Sequence, residues 1–199
     1  MIWILIHLTG VRFHRSLVTE RLVVRLGEHD WTTDTETLPH RDYRVKRVLV
    51  HEEYVPEENF TTPNDIALLQ LSESVEIESH IATIDLPQGR TDDALQGETA
   101  RFTGWGLLAR KGATPPVLQE IHLRVIEVDD FIILTDAGEF KGLCPGDSGG
   151  PLTLTEKGKQ VLIGVATTSG YPCDGSEPSE ADFARVTSFL DWIGEHRKN

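Results

Sequence analysis

The run Gly146-Asp147-Ser148-Gly149-Gly150-Pro151 constrains this chain more than any other stretch. It sets one serine between glycines, after an acid and ahead of a proline. A serine hydroxyl is a weak nucleophile near neutral pH. It attacks a carbonyl only with a base to take its proton and N–H donors to hold the oxyanion that forms. Glycines beside Ser148 permit a tight turn that aims backbone N–H groups at a substrate. A plain Gly-rich surface turn is the alternative, and six specified residues in order argue against it.

The longer stretch Cys144-Pro145-Gly146-Asp147-Ser148-Gly149-Gly150-Pro151-Leu152 resembles the nucleophile loop of the chymotrypsin/trypsin family of serine endopeptidases. Asn64-Asp65-Ile66-Ala67-Leu68-Leu69-Gln70-Leu71 resembles the family's aspartate segment. Asp65 opens an apolar run, and a carboxylate leading into a buried strand needs a partner. The family's aspartate holds the catalytic histidine in the correct tautomer. Asn-Asp is also good turn chemistry, so a simple turn is the competing reading. Leu26-Gly27-Glu28-His29-Asp30, Thr103-Gly104-Trp105-Gly106, Phe183-Ala184-Arg185-Val186 and Leu190-Asp191-Trp192-Ile193 resemble further family segments in the family's order. Gly146, Ser148 and Gly150 also satisfy the G-x-S-x-G elbow of α/β-hydrolases. That elbow needs a helix after the serine, then an acid and a histidine downstream. Here Pro151 and a strand-like run follow, and only His196 lies downstream.

Local patterns agree. Ile121, Leu123 and Val125 alternate with His122 and Arg124, and Tyr43 and Val45 with Arg44 and Lys46, as on half-buried strands. Residues 161–166 form an apolar run broken only by Gly164, suited to a core strand. Val186, Phe189, Leu190 and Ile193 share one helix face, with Thr187 or Ser188 to support its start. The expected fold is all-β: two antiparallel β-barrels, the first incomplete, and a short C-terminal helix. One peptidase-like domain is expected over 1–199, with the first barrel in about 1–85 and the second barrel plus helix in about 95–199.

The resemblance implies Ser148 as nucleophile, Asp65 as its distal partner, and the N–H groups of Gly146 and Ser148 as an oxyanion hole. It implies a Cys144–Cys173 disulfide between the serine loop and the substrate-pocket wall. It places Gly142 at the pocket base, where trypsin-like members carry an aspartate, and Ser169 and Ala181 on the walls. An uncharged, narrowed pocket is expected to disfavour Arg and Lys. Glu180 and Asp182 flank Ala181 and would bring charge if that assignment moved by one residue.

Three departures qualify the resemblance. No Thr-Ala-Ala-His-Cys segment precedes Leu26. Trp3-Ile4-Leu5-Ile6-His7 resembles that strand with residues missing, and His14 sits in Arg12-Phe13-His14-Arg15; each also reads as an ordinary exposed histidine. No Ile-Val-Gly-Gly activation segment is found, so Asp147 is expected to be buried without an ammonium partner. Only Cys144 and Cys173 remain of the family's cysteines, and Ala100 and Leu154 stand where another bridge sits. The expectation is a truncated or misjoined version of a longer active protein, with weak or no catalysis. The competing class is a catalytically impaired homologue that binds or regulates partners.

Chain length and charge add bounds. The 199 residues are enough for a substantial core. A net charge of −13 argues against a nucleic-acid partner, and no apolar run reaches membrane-spanning length. Expected partners are protein or peptide substrates and protease inhibitors. Residues 2–8 make a poor signal peptide, so an extracellular home is implied by the family alone. Asn59-Phe60-Thr61 is a glycosylation sequon. No cofactor or metal is expected: Glu28, Asp30, Asp34 and Glu36 read as an acidic solvated loop rather than a calcium loop.

Overall fold

A computed structural model describes residues 3–6, 21–55, 63–88, 94–109, 111–138, 141–169, 173 and 179–197, with backbone alone at 3–6, 168 and 169. Among the described residues, ten strands run in chain order. β1 (Trp3–Ile6), β2 (Val23–Leu26), β3 (Arg41–Val50) and β4 (Ala67–Leu71) come first. β5 (Thr99–Gly104), β6 (Gln119–Val128), β7 (Ile132–Asp136), β8 (Pro151–Glu156), β9 (Lys159–Ser169) and β10 (Glu180–Arg185) follow. The first four form an open antiparallel sheet in the order β1-β4-β3-β2. The last six close into a barrel in the order β10-β7-β6-β5-β8-β9. The all-β plan with one complete and one incomplete barrel is therefore what the chain adopts.

Alternation in sequence becomes alternation in burial. In β6, Leu123 and Val125 are buried while His122 and Arg124 are exposed. In β3, Tyr43 and Val45 are buried between exposed Arg44 and Lys46. Successive strand side chains point to opposite faces, so each polar-apolar pair orients its strand in the sheet. Residues 161–166 are all buried within β9, as a core strand requires. The barrel interior is filled by Phe102, Leu123, Ile133, Leu152, Ile163 and Phe183 among others, with the two phenylalanine rings 5.9 Å apart. Ala100 and Leu154 pack into this same core.

A second cluster joins the two halves. Ile66, just ahead of β4, packs with Leu162, Val165, Ala184, Val186, Phe189 and Ile193. The last three belong to a 3-10 turn (Val186–Phe189) and helix α1 (Leu190–His196). The expected apolar face is present, but Thr187 and Ser188 cap neither element. Thr187 instead accepts a bond from Arg185 Nε at 2.6 Å, and Ser188 donates to the Asp130 carbonyl. They stitch the turn to its neighbours rather than start the helix. A second seam links residues 29–31 to 115–118. Trp31 N–H donates to the Pro116 carbonyl, Leu118 N–H to the His29 carbonyl, and Trp31 Nε1 to the Pro115 carbonyl.

Candidate active site

Ser148 sits on the loop that leads into β8. No helix follows it, which removes the α/β-hydrolase elbow. Gly146 has φ of +100°, a backbone state that side-chain-bearing residues rarely adopt. Two bonds pin the loop to β9: Gly149 N–H to the Ala166 carbonyl at 2.8 Å, and Ala166 N–H to the Gly150 carbonyl at 2.9 Å. Ser148 is exposed, and its Oγ donates to the Thr167 carbonyl of β9 at 3.5 Å, the outer limit of a bond. Among the described residues, the N–H groups of Gly146 and Ser148 have no acceptor, while those of Asp147, Gly149 and Gly150 do. A cavity of about 360 Å³ opens here, lined in part by Trp105, Leu118, Gly146, Asp147 and Ser148.

Asp147 turns away from Ser148's hydroxyl into the protein. Its carboxylate accepts N–H bonds from Gly106 and from Cys144, both at 2.9 Å. Burial raises its pKa above the usual carboxylate range, and these two bonds offset part of that rise. The Cys144–Cys173 disulfide is formed, with Cα atoms 5.2 Å apart, and ties the serine loop to Cys173.

Asp65 is 1% exposed at the entrance to β4. A tight turn delivers it: Asn64 has φ of +61°, and Ile66 N–H donates to the Asn64 carbonyl at 2.8 Å. Burial, and then the Asp65 charge, raise the pKa of the Tyr54 phenol. Ile66 packs on Val165 of β9, and Ser148 bonds to Thr167 two residues further along the same strand. Ile66, next to Asp65, and Ser148 thus both meet β9.

None of the described histidines is hydrogen-bonded to Ser148. His40 Nδ1 lies 3.2 Å from Glu28, and His80 Nε2 3.1 Å from the Pro39 carbonyl. His51 packs against the Phe189 and Trp192 rings, at centroid distances of 5.5 and 5.0 Å. His196 lies 3.3 Å from Glu52, His122 is exposed 3.9 Å from Glu120, and His29 is exposed. His7, His14 and the sequon at Asn59 lie outside the described residues.

Of the pocket residues, Ser169 pairs with Ala181 across β9 and β10. Ala181 is 2% exposed and part of the barrel core. Glu180 is exposed, and Asp182 is half-buried. Gly142 faces a residue that sequence reasoning missed, Ser179. The acidic loop satisfies itself: Glu28 pairs with Arg25, Asp30 accepts from Thr32, and Glu36 accepts from the Asp30 N–H.

The serine loop, the aspartate turn and the closed barrel together define a chymotrypsin-type serine-peptidase architecture. The Trypsin family model matches residues 13–193, and the chain belongs to that family. It is 32% identical to serine proteinase stubble of Drosophila melanogaster over 91% of this chain and 24% of that protein. It is 34% identical to the proclotting enzyme of Tachypleus tridentatus, over 87% of the chain and 49% of the enzyme. It is 33% identical to an inactive CLIP domain-containing serine protease, A28, of Anopheles gambiae, over 88% of the chain and 49% of that protein. The chain therefore spans half or less of the length of these three relatives. No helix among the described residues is long and apolar enough to cross a membrane.

Proposed function

We propose that this chain forms one serine-endopeptidase domain that hydrolyses peptide bonds through Ser148. The observation that carries the reading is the pair of unengaged N–H groups on Gly146 and Ser148 beside an exposed hydroxyl. In the first step, Ser148 Oγ attacks the scissile carbonyl carbon and its proton passes to a histidine. The two N–H groups hold the oxyanion. Collapse of the intermediate breaks the C–N bond, and the histidine returns the proton to the departing amine. Water then hydrolyses the acyl ester by the same route. Asp65 orients that histidine, for which His7 and His14 are the sequence candidates.

The pocket reading follows from Gly142. A residue there has no room for a carboxylate, so a basic P1 side chain (the one before the scissile bond) would be buried unpaired. P1 preference is accordingly for apolar or medium-sized side chains rather than Arg or Lys. The disulfide suits an oxidising, extracellular setting with protein substrates and inhibitors as partners.

A second reading is an impaired homologue that binds partners through its loops. It is supported by the described histidines, none of which is hydrogen-bonded to Ser148, and by the inactive relative. A fluorophosphonate probe separates the two, with Ser148→Ala as control. Labelling is expected to be slow and Ser148-dependent, because no described histidine activates the hydroxyl. Rapid labelling would establish a full triad and point to His7 or His14. No labelling at all would favour the binding role.

A further inference from the structure

Arg44, Lys46 and Arg47 form a cationic row on a chain whose net charge is −13, and all three are exposed on β3. Strand alternation turns Arg44 and Lys46 away from the core that holds Tyr43 and Val45. Unbroken alternation would turn Arg47 back inward. The register with β4 instead shifts between Val45 and Arg47, so that Arg47 pairs with Gln70 while Val48 and Leu69 take the core side. This bulge re-aims Arg47 to the face that already carries Arg44 and Lys46. Charge further along the same hairpin is matched: Arg25 pairs with Asp42 and Glu28, and Arg41 with Glu78. Arg44, Lys46 and Arg47 pair with no carboxylate among the described residues. Basic side chains often guard a free sheet edge, but β3 lies between β2 and β4 and has none. Val23 of β2 sits directly opposite Arg44 and is 54% exposed, so an apolar side chain borders the cations on the same face.

We infer that this β2–β3 face docks an acidic, extended peptide segment of a partner protein, in which carboxylates alternate with apolar side chains. The carboxylates meet Arg44, Lys46 and Arg47, and an apolar side chain covers Val23. Arg44 and Lys46 lie about 7 Å apart along the strand, and an extended peptide repeats its own side chains on one face at that spacing. The two guanidinium groups take carboxylates in bidentate pairs. A sulfated polysaccharide would satisfy the cations but leave Val23 uncovered, which favours the peptide. A chain this acidic repels an acidic peptide at long range, so capture depends on the local cations. The docking face is independent of hydrolysis at Ser148.

The probe is a short peptide of alternating Glu and Leu, blocked at both ends and carrying a fluorophore, with binding read by anisotropy. The protein carries Ser148→Ala, so that binding is measured without cleavage. The peptide is expected to bind, and to bind more weakly as added salt screens the ion pairs. Replacing Arg44, Lys46 and Arg47 all by Gln is expected to weaken binding about tenfold. If that variant melts early, Arg44→Gln and Arg47→Gln singly are expected to weaken it about twofold each. Val23→Ser is expected to weaken it about threefold, and to leave binding of a Glu-Ser peptide unchanged. A matched control replaces the exposed Lys111, Lys157 and Lys159 by Gln, which alters net charge equally on other surfaces. Equal weakening by the control overturns the inference, as does a peptide that fails to bind. Heparin that binds where the peptide does not assigns the face to a sulfated polysaccharide and overturns it too.

Discussion

The two halves of this molecule spend similar apolar material in different ways. The barrel closes, so every strand from β5 to β10 has two neighbours and its core is continuous from Leu95 to Phe183. The β1–β4 sheet is open, and its smaller core of Tyr43, Val45, Leu69 and Leu71 is flanked by half-buried side chains such as Leu22, Val24 and Val48. Val23 on the edge strand β2 is an exposed large hydrophobic. Closure protects strand edges and lets interior side chains be enclosed on all sides; an open sheet does neither. The residues of the proposed chemistry follow this division. Ser148 stands on the closed side, where a disulfide, two β9 bonds and Asp147 brace it. Asp65 stands on the open side, held to the barrel through Ile66.

This contrast can be broken most directly by core truncation. Phe102→Ala is expected to destabilise the protein by about 3–5 kcal/mol in denaturant unfolding, the usual cost for a fully enclosed aromatic. Val48→Ala, on the half-buried sheet face, is expected to cost about 1 kcal/mol. Equal losses would show that the sheet is as tightly packed as the barrel. Reducing the Cys144–Cys173 bond comes next. Its sequence separation is 29, and the chain-entropy estimate for such a loop is about 3–4 kcal/mol. Denaturation with and without reductant measures it, and hydrogen exchange should show the loosening at Gly146 and Ser148 rather than in β2 or β3.

The smallest expected effect is in pH dependence, where the two halves should have opposite slopes. Desolvation depresses the pKa of His51, while Glu52 and Glu53 raise it and His196 lowers it further. A depressed histidine leaves stability intact above its unfolded value near 6.5 and withdraws it as pH falls through the folded value. Asp147 is raised, so its contribution is intact below the unfolded value of 3.8 and is lost as pH rises through its folded value. Melting temperatures against pH should therefore lose their acid-side fall in His51→Gln. Their decline above the carboxylate range should shrink in Asp147→Asn. If His51→Gln leaves the acid side unchanged, the seam around Trp192 does not carry it.

Much of this was legible in the sequence because it was written locally. Six adjacent residues announced the serine loop, alternation in 43–46 and 121–125 fixed strand faces, and an apolar run marked the entry of Asp65 into β4. What escaped depended on partners far along the chain. Trp192 Nε1 donates to Glu52 across 140 residues, and Gly106 N–H reaches Asp147 across 41. Ser179 opposite Gly142 was hidden for a further reason. Gly142 carries no side chain that would announce a partner, so nothing local marks Ser179 as the residue that fills the space beside it. Thr187 and Ser188 have the chemistry of caps, but nearer acceptors and donors claim them.

The seam between residues 29–31 and 115–118 bears on how the chain reaches this shape. Trp31 to Pro115 and Trp105 to His29 close loops of 84 and 76 residues. Such contacts reward the chain only after a large loss of loop entropy has been met. The barrel strands come from one continuous stretch, 99–185, and need no help from the first half to pair. The expected order of assembly is the barrel first, as a template, and the sheet later, docking onto it through this seam and Ile66.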